Sequence, residues 1–129
     1  MSVSILIVSH HNIGKAIVEA VQISFANNLP LRLATIDVNS TDDPDIIKPK
    51  MLEMVKELDD GSGVLILSDL FGSTPCNICS ECLDNPNVRL LTGINLPMVL
   101  RIMNYPDQNL AEMTETARIG GQNGIVECT

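Results

Sequence analysis

The sequence predicts an α/β protein built on a doubly wound, mostly parallel sheet of about five strands. Residues 3–8, aliphatic but for Ser4, and 64–67, wholly aliphatic, show no clean polar alternation, which is how strands buried on both faces of a parallel sheet read. Each run stops at polar residues and gives way to apolar residues at helical spacing, so strands and helices alternate along the chain. With 129 residues the chain forms one domain, residues 1–129, large enough to bury a core without staples.

In order, the run 3–8 is the first central strand. Asn12 is placed to cap the helix that follows, in which Ile13, Ala16, Ile17, Ala20, Val21, Ser24 and Phe25 recur at helical spacing. Gly14 in its first turn lets a neighbour approach the backbone. Asn27-Asn28-Leu29-Pro30 ends the helix. Residues 31–37 alternate more and belong nearer a sheet edge. Residues 39–44 are a turn-rich connection, after which Asp42 or Asp43 caps a helix striped by Ile46, Ile47, Met51, Met54, Val55 and Leu58. Pro49 within that stripe predicts a late start or a kink. Residues 59–63 (D-D-G-S-G) stop it, and 64–67 form the second central strand.

Thr74 as N-cap and Pro75 at the first helical position open a helix through Ile78 and Leu83. Asn85-Pro86-Asn87 ends it, and a short strand covers 88–91. Helices follow over about 96–103, with Pro97 in the first turn, and over 110–119. Gly120, Gly121 and Gly124 then loosen the chain before 125–128, a candidate terminal edge strand.

Sixteen acidic against eight basic side chains leave a formal charge of -8. That argues against nucleic acid and anionic membrane as partners and favours a basic protein. No apolar run approaches the ~20 residues of a membrane span. The amino end enters a strand directly without a charged leader, so a cytoplasmic protein with reduced thiols is expected. Without Trp, and with one Tyr and two Phe, the core is aliphatic and Met-filled, and base stacking has little to use.

The two central strands and the 88–91 strand end in polar clusters: Ser9-His10-His11, Asp69 to Pro75, and Gly93-Ile94-Asn95. Parallel strands end on the same edge, where open α/β sheets place their ligands, so the clusters are expected to converge. Asp69 is the natural partner of an imidazole. By accepting from Nδ1–H it fixes the tautomer that leaves Nε2 nucleophilic. Gly72, Ser73 and Thr74 before a proline-started helix offer N–H groups, hydroxyls and a helix dipole to an anion. Together these point to transient phosphorylation of a histidine, with no cofactor or metal. Taken singly, the same residues are ordinary turn and cap residues.

With those residues in view, the sequence resembles the IIA component of the mannose-type sugar phosphotransferase system along essentially its whole length. The resemblance rests on I-L-I-V-S-H at the amino end, S-D-L-F-G-S-T-P-C-N at 68–77 and G-I-N-L-P-M at 93–98. It implies that His10 is the phosphoacceptor, Asp69 its hydrogen-bonding carboxylate, and Ser73 with Thr74 the phosphate-side loop. It implies HPr as donor, a IIB component as acceptor, and a homodimer that exchanges a terminal strand, antiparallel to the rest. A glycine usually follows the histidine in that family, where this chain has His11. A stand-alone regulatory phosphocarrier is an alternative. So is the related dihydroxyacetone kinase phosphotransfer subunit, which shares V-S-H but usually lacks the other two segments.

Phe71, Leu70, Ile13, Leu96 and Met98 stand in sequence around the strand ends and are expected to furnish an apolar docking rim, unless packed as ordinary core. Cys76, Cys79 and Cys82 are spaced as C-x2-C-x2-C. No fourth thiolate follows closely, and on a helix the three drift around the axis, so buried structural thiols are expected in preference to a cluster or a redox sensor. Cys76, nearest the helix start, is the one whose thiol a helix dipole would activate. A metal-dependent receiver phosphorylated on Asp69 would need acidic residues where the histidines stand.

Overall fold

The strand Ser4–His10 (β1) sits mid-sheet because it has apolar side chains for both faces: Ile5 and Ile7 on one, Leu6 and Val8 on the other, all fully buried. The computed structural model describes all 129 residues. After β1 come α1 (Ile13–Ser24), β2 (Leu33–Val38), α2 (Pro44–Leu58), β3 (Val64–Ser68), α3 (Thr74–Ser80), β4 (Val88–Thr92), α4 (Leu96–Met103) and α5 (Leu110–Asn123). The sheet order is β2-β1-β3-β4 with every pair parallel. One face, under α1, α4 and α5, packs Ile5, Ile7, Leu65 and Leu67 on Val21, Val99, Ile102 and Met113. The other, under α2 and α3, packs Leu6, Val8, Val64 and Ile66 on Met51, Val55, Ile78 and Cys79. Each such side chain contributes roughly 1.5–3 kcal/mol. No helix is long and apolar enough to cross a membrane.

The expected fifth strand is not formed within the chain, and the sheet has four. Residues 125–129 have no regular structure and lie exposed. Of the glycines before them, Gly120 and Gly121 are helical and Gly124 caps the helix end, so they do not form a hinge. A Cβ on Gly120 would come within 2.7 Å of the Arg101 side chain, and one on Gly121 within 2.9 Å of Met98 Cε. They let α5 approach α4 closely and carry the helix a turn further than expected, to Asn123.

Three local expectations also shift. Pro49 neither delays nor breaks α2, which runs unbroken from Pro44 with Asp43 as N-cap. Pro49 is exposed near the helix start, so the Asp45 carbonyl it leaves without a partner reaches water. In α3 the N-cap is Ser73, with Thr74 and Pro75 as the first two helical residues, and the helix stops at Ser80 short of Leu83. Asn12 makes no capping bond. Ser9 takes over part of that work from the strand, its Oγ accepting from Gly14 N–H at 2.8 Å. A Cβ on Gly14 would stand 2.8 Å from Ile7 Cγ2, so glycine is what lets α1 begin against the strand.

Strand order reverses direction between β1 and β3, which opens a crevice at their carboxyl ends. β1 extends through Ser9 and His10, paired with Asp37 and Val38 of β2, so His10 is held by the sheet itself.

Candidate active site

Asp69 is the first residue past β3 and reaches across that crevice to His10. Its Oδ2 accepts from the His10 backbone N–H at 3.1 Å and lies 2.7 Å from His10 Nδ1. One carboxylate oxygen thus fixes both the main chain and the ring. Burial pushes the Asp69 carboxyl up, but the bonds from the His10 ring and backbone, with the charge of His10, outweigh it and hold the group below the usual carboxylate range. Its other oxygen is buried and meets no donor. An ionised carboxylate only accepts, so Nδ1 carries the hydrogen and Nε2 keeps its lone pair. The His10 side chain is 40% exposed and that of Asp69 11%, an accessible nucleophile backed by a sheltered orienting group.

The segment after Asp69 turns sharply through Gly72, whose φ of +78° suits glycine. Ser73 Oγ donates to the Leu70 carbonyl at 2.7 Å and accepts from Cys76 N–H at 3.4 Å. Its hydroxyl is therefore occupied in shaping the turn and capping α3. The N–H groups of Gly72 and Thr74 and the Thr74 hydroxyl meet no partner within the chain. Pro75 brings no N–H.

Thr74 lines a cavity of about 450 Å³ together with His10 and His11. Its far wall is Asn39, Ser40, Asp42 and Pro44, the loop from β2 into α2. The sequence marks that loop only as a turn-rich connection, yet a signal was present. A strand parallel to β1 and beside it must end on the same edge. The Gly93-Ile94-Asn95 cluster goes elsewhere. Ile94 N–H donates to the Ser68 carbonyl at 3.1 Å. Asn95 Oδ1 accepts from Met98 N–H at 3.0 Å, and its Nδ2 donates to the Gly121 carbonyl at 3.0 Å. These residues start α4 and tie it to α5. A larger cavity of about 540 Å³, between α2 and the turn after α3, holds neither histidine.

Of the expected docking residues, Leu70, Ile13 and Leu96 are exposed and Phe71 is 83% exposed. Met98 is not available: it is 4% exposed and belongs to the core beneath α4 and α5. The helix N-terminus at Asn95 turns it inward, against Gly121.

Cys76, Cys79 and Cys82 are all buried and unpaired. Burial, helped by the two neighbouring thiols, pushes Cys79 up to about 12. Burial and then the Glu81 charge raise Cys82 as well, whose Sγ lies 3.1 Å from Met51 Sδ. Thiols raised in this way, those of Cys79 and Cys82, pack as small hydrophobes and react slowly, and no group of three His, Cys, Asp or Glu side chains is arranged to hold a metal.

A doubly wound parallel domain thus brings an accessible imidazole and a sheltered carboxylate together at its switch point. The family model described as the PTS system fructose IIA component (EIIA-man) matches residues 4–117, and the chain belongs to that family. Its fold is similar to that of the mannose/sorbose-specific IIA subunit from Enterococcus faecalis, with a TM-score of 0.87 and 24% identity over 100% of this chain and 96% of that one. It is also similar to the PTS IIA protein associated with the fucose utilization operon from Streptococcus pneumoniae, with a TM-score of 0.81 and 25% identity over 98% and 96% of the two chains. The EIIA component from Streptococcus agalactiae aligns with a TM-score of 0.80 and 21% identity over 97% and 96%. Family membership entails phosphoryl transfer between components of a sugar phosphotransferase system.

Proposed function

We propose that this chain is a cytoplasmic phosphocarrier that accepts a phosphoryl group from HPr on His10 Nε2 and passes it to a IIB component. The supporting observation is the 2.7 Å approach of Asp69 Oδ2 to Nδ1, which leaves Nε2 without a partner on a partly exposed ring. As the Nε2 lone pair attacks phosphorus, an N–P bond forms on His10 and the donor's N–P bond breaks. That electron pair returns to the donor's ring nitrogen. Nδ1 keeps its proton, so the positive charge of the donor's protonated ring passes to the His10 ring, against the Asp69 carboxylate. Gly72 and Thr74 N–H, with the Thr74 hydroxyl, serve the phosphoryl oxygens, while Ser73 holds the turn that presents them. Incubation with phosphoenolpyruvate, enzyme I and HPr is expected to add one phosphoryl mass to the intact protein, acid-labile and located on His10. No gain in mass, or a label on Asp69 that requires Mg²⁺, would refute the carrier.

Phe71 and Leu70 form part of the surface on which HPr docks. Phe71 is almost wholly exposed, so Phe71→Ala removes contact area without opening a cavity. Uptake from HPr is expected to fall about tenfold, the loss of about 1.4 kcal/mol at a docking contact, with the thermal midpoint unchanged. Uptake at the wild-type rate would remove Phe71 from the docking surface.

The pairing of two copies is the remaining element. β4 is an edge strand with one neighbour, and Ile125 and Val126 are exposed. Both needs are met if residues 125–128 pair, antiparallel, with a second copy. A dimer mass in solution at micromolar concentration is expected, and deletion of residues 125–129 is expected to shift it toward monomer. A monomer with the full chain would eliminate the exchange.

A further inference from the structure

We infer that His11 supplies the positive charge that holds the phosphoryl group once it is on His10, and so makes the transfer equilibrium depend on pH. The inference rests on His10 being the phosphorylated residue. His11 is exposed and lines the same cavity as His10 and Thr74. Its N–H donates to the Val38 carbonyl at 3.0 Å and its φ is +45°. In that region a residue other than glycine costs about 1 kcal/mol. Glycine would sit there freely, so His11 holds a conformation it does not favour with its side chain at the cavity.

Charge indicates what it does. A phosphoryl group adds about 1.5–2 negative charges near neutral pH. The β2–α2 loop contributes the carboxylate of Asp42 to the cavity wall, Asp69 stands behind His10 from the end of β3, and α3 contributes only the neutral Thr74 and Pro75. No lysine or arginine lines the cavity, and Lys15, the nearest in sequence, lies outside it. The whole chain carries a formal charge of -8. Besides His10, His11 is the one lining side chain that can become cationic, and histidine changes charge between about pH 5 and 8. Protonated, it donates an N–H to the phosphoryl oxygens and offsets their charge. Deprotonated, it withdraws that charge, and the phosphoryl group moves on more readily to an acceptor.

The test is the ratio of phosphorylated to free protein at equilibrium with HPr, measured for wild type, His11→Gln and His11→Lys at about pH 6 and about pH 8.5. The pH dependence of HPr itself is common to all three and cancels between them. At the lower pH, His11→Gln is expected to lower the ratio about three- to fivefold, the size of an exposed ion pair. At the higher pH it should match wild type, whereas His11→Lys should exceed both. Far-UV circular dichroism checks that each variant is folded. Equal ratios for wild type and His11→Gln at the lower pH, with His10 labelled in both, would overturn the role of His11 alone. Absence of label on His10 in the wild type would overturn the carrier as well.

Discussion

His10→Ala is expected to take up no phosphoryl group from HPr, whereas His11→Ala, though less favourably charged, is still labelled. The two imidazoles are neighbours in sequence but differ in their bonding. His10 is the last residue of β1, bonded to Asp69 through both its backbone N–H and its ring. His11 has left the strand with φ at +45°, and no carboxylate bonds its ring. Only the first therefore has a tautomer fixed by a carboxylate and an Nε2 lone pair left free to attack. Removal of that nucleophile should bring transfer to background while the fold survives, because His10 is partly exposed and its truncation leaves no sealed void. Intact mass and acid-lability of the label check both variants. Label persisting in His10→Ala and vanishing in His11→Ala would exchange the two roles.

Asp69→Asn is the second large expected effect, a fall in transfer rate of about two to four orders of magnitude with the fold retained. The amide can present its NH₂ to Nδ1 and so favour the tautomer whose Nε2 bears the hydrogen. It also cannot balance the positive ring of the phosphorylated state. The same residue leaves a mark on stability. Its folded carboxyl is held below the ordinary value, so its contribution is present above the unfolded pKa of about 3.9 and is lost as pH falls through the lower folded value. Wild type should therefore lose more stability than Asp69→Asn on acidification through that window, as read by urea midpoints. Near-normal transfer by a folded Asp69→Asn would reduce Asp69 to a turn residue.

The docking and equilibrium effects expected at Phe71 and His11 are smaller because neither residue forms the new bond, as His10 does, or fixes the tautomer that forms it, as Asp69 does. Phe71→Ala removes contact with a partner, and His11→Gln removes a charge beside the phosphoryl group. Their readouts differ accordingly: the first slows uptake, and the second shifts where the phosphoryl group rests.

What the sequence determined by itself were the properties a residue carries wherever it sits. Aliphatic runs at 3–8 and 64–67 need cover on both faces, so they become the two central strands. Their carboxyl ends must share an edge, which brings His10 and Asp69 together from 59 residues apart. Only the tertiary structure decided what depends on the neighbour. Met98 is apolar and near the strand ends, yet it is core, because Gly120 and Gly121 let α5 lie close on α4. The same glycines read as a hinge in sequence, since conformational freedom and room for close approach look alike until the facing helix is known. Asn39, Ser40 and Asp42 look like any turn, and become the wall opposite His10 only because β2 lies beside β1. Burial, capping and cavity walls are set by contacts between distant segments, and those contacts have no local signature in the chain.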